Sequence, residues 1–329
     1  LTPLAEGSAD WIKDNFAAGE SWVDLGTFEN AEGAKGFYGF FVNVNVKSLV
    51  WYIPEHFEDF GYEVPTTMEE FRALMDQMVE DGETPLCVGL ASGGATGWPA
   101  TDWVEDLMLR TQPPEVYDQW VSNEMKFDDP RVIQAIEEYG SFTRNDDYVV
   151  GNADDTAAID FRDSPKGLFE SPPACMMHRQ ASFIPAYFPE GTELGVDADF
   201  FYFPAYAEKD LGTPVLGAGT LFTITNPSPA AEAFMEFLKT PVAHEIMMSQ
   251  DGFLTPHLGA NPETYSNDTQ RGQGEILTNA TTFRFDGSDL MPGAVGAGTF
   301  WTGMVDYSSG AKDAATVAGE IQSSWDAAK

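Results

Sequence analysis

Basic residues are scarce in this chain. Seventeen Lys and Arg stand against 53 Asp and Glu, giving a formal charge of -36 over 329 residues. Such a balance excludes nucleic acid and anionic membrane surfaces as partners. The acids are spread along the sequence and do not form a tail. A surface of this kind suits a salt-rich medium, where screening tempers self-repulsion, or a mildly acidic extracytoplasmic protein; composition does not separate the two. Histidine is equally thin, with 4 residues. His56, His178, His244 and His257 are scattered, and none sits in a His-Glu-x-x-His zinc motif. Asp146, Asp147, Asp154 and Asp155 lack the alternating spacing and placed glycine of a calcium loop. No metal and no cofactor is therefore expected. The glycines at 93–97 run into Trp98-Pro99, not the Lys-Ser/Thr of a phosphate loop, and no serine stands in a nucleophile elbow. With no catalytic residue singled out, the sequence favours a binder over an enzyme. No apolar run is long enough to span a membrane, and no basic-apolar signal segment appears among these residues. The chain opens without Met, in mid-phrase, so an amino-terminal segment is expected to be missing. There are two cysteines, Cys87 and Cys175. They form one disulfide in an oxidising compartment or remain buried thiols in a reducing one.

What is present is ample core material: 43% hydrophobic and 13% aromatic residues, enough for two domains. Short strands alternate with helices, an α/β pattern with no internal repeat. Thr66 and Glu69 mark a capping box ahead of Phe71, Leu74, Met75 and Met78 at helical spacing. Ser228-Pro229 and Thr240-Pro241 open two further helices, with Phe234, Phe237 and Leu238 expected on the buried side of the first. Val317, Ile321 and Trp325 line a last helix. Two short strands, or one broken near Lys47, are expected between Gly36 and Tyr52. Another is expected over Pro85–Leu90, and a loop over Gly212–Gly219.

The stretch Ser92 to Trp103 draws the eye. A flexible glycine loop feeds a helix expected over about 102–110, with Asp102 and Glu105 spaced as a capping box. Two indoles and a carboxylate near that junction suit a polyhydroxylated ligand, whose apolar ring face stacks on an indole while its hydroxyls donate to the carboxylate. The plain alternative is that Trp98 and Trp103 anchor a core and Asp102 is only a cap.

Several passages resemble one family. Leu49-Val50-Trp51-Tyr52, Val64-Pro65-Thr66-Thr67-Met68-Glu69-Glu70-Phe71, Ala95 to Asp106, Cys175 to Ile184 and Gly298-Thr299-Phe300-Trp301 are together similar to the extracytoplasmic solute-binding proteins of bacterial carbohydrate ABC importers. The α-glucoside group, serving trehalose, maltose and sucrose, is the most similar. Met68 stands where Trp is usual. The resemblance implies a periplasmic-binding-protein-like α/β fold of two lobes with a ligand cleft and several interlobe crossings, the first lobe incomplete. Residues 1–47 and 220–290 would belong to the amino-terminal lobe, 48–219 and 291–329 to the other. It implies a periplasmic monomer that captures an oligosaccharide and delivers it, by lobe closure, to membrane permease subunits. Trp98, Asp102, Trp301, Arg179 and Gln180 are the candidate ligand contacts, with Trp103 behind them. Gly217 and Gly219 are placed in a crossing segment open to ligand. An exported chain further implies a Cys87–Cys175 disulfide. Two rivals remain at this point: a sugar-acting hydrolase or lyase, and a binder of a polyol or osmolyte.

Overall fold

The computed structural model describes residues 1–328. They divide into two compact units. Unit 1 comprises residues 1–46 and 217–283, unit 2 residues 47–216 and 284–329, so the chain passes from one to the other at 46/47, 216/217 and 283/284.

Unit 1 opens with helices Ser8–Asn15 and Gly19–Leu25 and a small hairpin, Thr27–Glu29 with Lys35–Phe37. Its main sheet orders strands Gly39–Val46, Pro214–Thr223 and Thr282–Phe285, with the second in the centre. Alternation sets the first strand: Phe40, Val42, Val44 and Val46 are buried, while Asn43 and Asn45 are half-buried. The register pairs Val46 with Gly217, Asn45 with Ala218 and Val44 with Gly219, and slips between Phe41 and Asn43. The expected loop at Gly212–Gly219 is thus mostly strand. Its glycines serve close packing: a Cβ on Gly217 would strike the Phe283 ring, and one on Gly219 would lie 2.7 Å from the Asn43 carbonyl. Sequence suggested turn because glycine is poor in isolated strands; here a neighbouring ring and backbone fill the space. Helices Pro229–Leu238 and Pro241–Met248 start at the expected caps, Ser228 and Thr240. The buried side of the first differs, however. Met235 and Leu238 are buried, whereas Phe234 and Phe237 are 53% and 42% exposed. The stripe is turned by about one residue, roughly 100° on a helix.

Unit 2 holds a sheet in the order Met177–Arg179, Leu49–Tyr52, Asp199–Tyr202, all antiparallel. The helix Met68–Asp81 has a capping box one residue later than expected: Thr67 Oγ1 accepts from Glu70 N, and Glu70 accepts from Thr67 N. Thr66 adds its amide and hydroxyl to the same carboxylate. Phe71, Leu74, Met75 and Met78 are buried as expected, as are Val317, Ile321 and Trp325 on the closing helix Ala314–Ala327. The segment at Pro85–Leu90, expected as a strand, forms two isolated bridges at Leu86, to Val149 and Met177, and Leu90 N donates to the Thr156 carbonyl. Cys87 and Cys175 are bonded, with Cα atoms 5.4 Å apart. Among the described residues no helix is long and apolar enough to cross a membrane.

Candidate functional site

The helix Trp98–Thr111 organises unit 2. It begins four residues before the position expected for it. Gly97, at φ 109°, is its N-cap, and no side chain caps it. Only glycine fits there: the left-handed φ disfavours any Cβ, and a Cβ would meet the backbone carbonyl of Trp301. Pro99 follows at the second helical position, where a missing N–H costs nothing. Asp102 is therefore inside the helix and does not cap it.

The helix is unusual in burying its polar side as well as its apolar one. Pro99 through Arg110 are all buried. Its acids meet partners from distant segments. Lys47, at the break between two strands, places Nζ 2.7 Å from Asp102 Oδ1 and 2.5 Å from Asp286 Oδ2. Glu105 accepts from the amides of Gly287 and Ser288. Asp102, Glu105 and Asp286 bring carboxylate oxygens within 4.8 Å of one another, and the Lys47 ammonium is the cation they share. One turn on, Asp106 pairs with Arg110, accepts from Arg179 Nη2 at 2.5 Å and accepts from Ser48 Oγ at 2.8 Å. Arg110 also donates to the carbonyls of Phe203 and Pro204. Three cations thus face four carboxylates in a buried layer. Burial pushes Asp102 up to about 7 despite the pull of Lys47. Burial, with Asp286 and Asp102 adding to it, raises Glu105 well above the usual carboxylate range. Lys47 is held above its ordinary value because the surrounding carboxylates outweigh its desolvation. Asp286 is lowered: burial works against it, but the field and hydrogen bond of Lys47 prevail.

The sequence candidates separate on this frame. Trp98 is half-buried at the start of the helix. Its ring lies 5.0 Å from that of Phe161, 5.9 Å from that of Phe183 and 5.5 Å from Lys47 Nζ. Trp301 is half-buried too, its backbone against Gly97 and its buried Nε1 without a protein partner. Asp102 is fully buried, with Oδ1 on Lys47 and Oδ2 unpartnered. Trp103 is a core residue and offers no ligand surface: it is 3% exposed, among the rings of Tyr139, Phe142 and Phe203. Arg179 is likewise turned inward onto Asp106 and the Asp102 carbonyl. Gln180 is buried, its Oε1 accepting from Ala181 N. Gly217 and Gly219 lie in the paired strand of unit 1. Lys47, Glu105, Asp106 and Asp286 escaped the sequence reading. The available signal was a charged residue inside the largely apolar run Val44 to Val50, and acids at i, i+3 and i+4 of a helix with Arg110 four residues after Asp106.

Residues 3–245 match the family described as bacterial extracellular solute-binding protein. The chain is 62% identical to the alpha-glucosides-binding periplasmic protein AglE of Rhizobium meliloti (strain 1021), over 100% of this chain and 72% of that protein. It is 42% identical to the osmoprotective compounds-binding protein GgtB of Synechocystis sp., over 93% of this chain and 71% of that one. Among solved structures, the bacterial solute receptor AcbH, described as preferring b-D-galactopyranose, superposes with a TM-score of 0.76 at 20% identity, covering 100% of this chain and 78% of that one. The maltose-bound MalE3 of T. maritima gives 0.70 at 12% identity, covering 100% and 80%. At these identities the structures show a shared fold.

Proposed function

Because the chain belongs to the bacterial extracellular solute-binding proteins, a transport family and not a catalytic one, we propose that its solute is an α-linked glucoside, of the trehalose, maltose or sucrose type. Capture takes place outside the cytoplasm, for an ABC import system; in this reading the chain acts as a monomer and permease subunits of the importer receive the sugar. The two units correspond to the lobes of the binding protein. Trp98 carries the proposal. A half-buried indole stands at the Gly97 turn, at the first residue of the helix that carries Asp102 one turn on, and its face suits the apolar face of a sugar ring. Trp301 supplies the second indole. The identity to a relative named for α-glucosides supports the same class.

The second reading, an osmolyte, rests on the rings around Trp98, with Tyr187 in turn 5.4 Å from Phe161, and on the relative named for osmoprotective compounds. A quaternary ammonium would seek such a box. Lys47 already sets a positive charge near the Trp98 ring, which favours a neutral polyhydroxylated ligand. Calorimetry of the full chain with trehalose, maltose, sucrose and glycine betaine decides. One disaccharide should bind tightly and betaine should not. Trp98→Ala should weaken that sugar by about 2 kcal/mol, roughly thirtyfold. A Trp98→Ala protein that binds it within a factor of two of the parent removes this site, and tight betaine binding replaces the sugar reading.

A further inference from the structure

We propose that residues 254–259 of unit 1 form an acid-sensitive latch, held shut by the neutral pair His244 and His257 and opened when these rings take up protons. The backbone shows what the latch fastens. Val44 N donates to the Leu254 carbonyl, Ala17 N to the Pro256 carbonyl and Leu258 N to the Asn15 carbonyl. Phe16 and His257 form an antiparallel bridge. One short segment thus ties the end of the helix Ser8–Asn15 to the strand Gly39–Val46.

Both rings are buried, and two partners fix His257 in its neutral form. Its Nδ1 accepts from Gly259 N at 2.9 Å; an amide only donates, so this nitrogen is bare. Its Nε2 lies 3.1 Å from the Lys239 carbonyl, which only accepts, so Nε2 carries the hydrogen. A proton arriving at Nδ1 would set two N–H groups against each other and break the bond to Gly259. His244 adds to the cost, because the two ring centroids are only 4.9 Å apart and two charges there repel. Its Nδ1 is 2.6 Å from Thr255 Oγ1, which also accepts from the His257 amide. The charged neighbours are committed elsewhere. Lys239 pairs with Glu236 and donates to Ser8, and Arg271 pairs with Glu263 and Asp268. Asp10, Lys13 and Asp14 on the first helix are exposed, and the strand Gly39–Val46 carries no ionisable group. Burial holds Tyr265, which accepts from Thr255 N, in its phenol form. Glu245 favours a charged His257, but its Oε1 accepts from Asn261 N and burial prevails. A cavity of about 250 Å³ beside His257 reaches the exposed Leu258 and Glu275, so protons have a way in. Burial lowers both rings, His244 to about 3. A histidine lowered in the folded state contributes stability that is complete above its unfolded value, about 6.5, and is lost as pH falls below it. In unit 2 the helix Trp98–Thr111 carries acids of the opposite sign, Asp102 and Glu105, both raised.

Hydrogen exchange of the full chain, read by mass spectrometry from about pH 7 to pH 4.5 and corrected for intrinsic rates, tests the latch. Below about pH 6 the opening constant of residues 8–17 and 254–259 should rise by up to about tenfold per pH unit for each histidine that gains a proton, while residues 98–111 keep their protection. No rise, or one that residues 98–111 share equally, overturns the proposal. In the double variant His244→Asn, His257→Gln the side-chain amides still form hydrogen bonds but do not titrate, and the rise should vanish. A rise that persists belongs to carboxylates and overturns the latch. If that variant does not fold, the ring C–H resonances of the wild-type protein decide. They should hold their neutral positions down to the pH at which protection is lost; rings that titrate near 6.5 in the folded protein overturn the latch.

Discussion

Lys47 shows most plainly what one residue contributes. It is one of 17 basic residues in a chain with 53 acids, yet its side chain is only 7% exposed and is committed to two buried carboxylates. Removing it leaves Asp102 and Asp286 facing each other and Glu105 with no cation. Lys47→Ala should therefore destabilise the protein by about 3–5 kcal/mol, as breaking buried pairs does. Urea unfolding should read this as a lower midpoint. Adding Asp286→Asn should recover part of the loss, so that the double variant is less unstable than the two single effects summed. At this scale the sequence was half legible. Trp98 and Asp102 could be singled out because an indole and an acid beside a glycine turn are unusual locally. Lys47 and Asp286 could not be joined to them, since their meeting depends on which strands and helices pack together. Trp103 and Arg179, both among the expected contacts, are buried. A large aromatic or a cation in a promising motif looks available until its neighbours are known, and here Phe203 packs on both, 5.3 Å from the Trp103 ring and 5.4 Å from the Arg179 guanidinium.

The helix Trp98–Thr111 defied its own pattern. Caps were legible wherever a Ser, Thr or Asx side chain made them, as at Ser228 and Thr240, because that signal is local. This helix starts on a bare glycine, and its acids at 102 and 105 resembled a cap while serving as a buried polar layer. The glycine-bearing part of Pro214–Thr223, up to Gly219, reads as loop for a similar reason, while a strand is expected from Leu221: the glycines' place in the sheet comes from packing partners, not propensity. The buried layer has a pH signature. Asp102, raised to about 7, and Glu105, raised further by burial, have folded values above those of the unfolded chain. Each therefore contributes stability that is complete below the unfolded carboxylate range and is lost as pH rises through the folded value. Asp286, lowered by Lys47, acts in the opposite sense and only at acid pH. Thermal unfolding of the wild-type protein and of Asp102→Asn between about pH 4 and pH 8 separates the terms. The advantage of the parent over the variant should shrink steadily as pH rises toward 7. A constant difference would show that Asp102 is ionised throughout.

Charge governs the whole molecule. At -36, self-repulsion opposes compaction at low ionic strength, and sodium chloride should raise the thermal midpoint most steeply below about 0.15 M, where the Debye length contracts fastest. A midpoint unchanged from low to molar salt would show that repulsion among the surface acids does not limit stability. The fold class was legible at this scale from alternating strands and helices and from the resemblance of several passages at once. The chain also changes unit at 46/47, 216/217 and 283/284. Those changes have a consequence for how the protein is made. Strand Gly39–Val46 is synthesised before the strand that must lie against it, Pro214–Thr223, which emerges only after most of unit 2, and the sheet's third strand, Thr282–Phe285, comes later still. Until Pro214–Thr223 has been made, the nascent chain cannot close this sheet and Gly39–Val46 lacks the strand it pairs with. Such an order delays premature folding and keeps the polypeptide a pliable thread, the form in which a chain passes through a secretion channel, and it makes that early apolar strand a natural holding point for a chaperone.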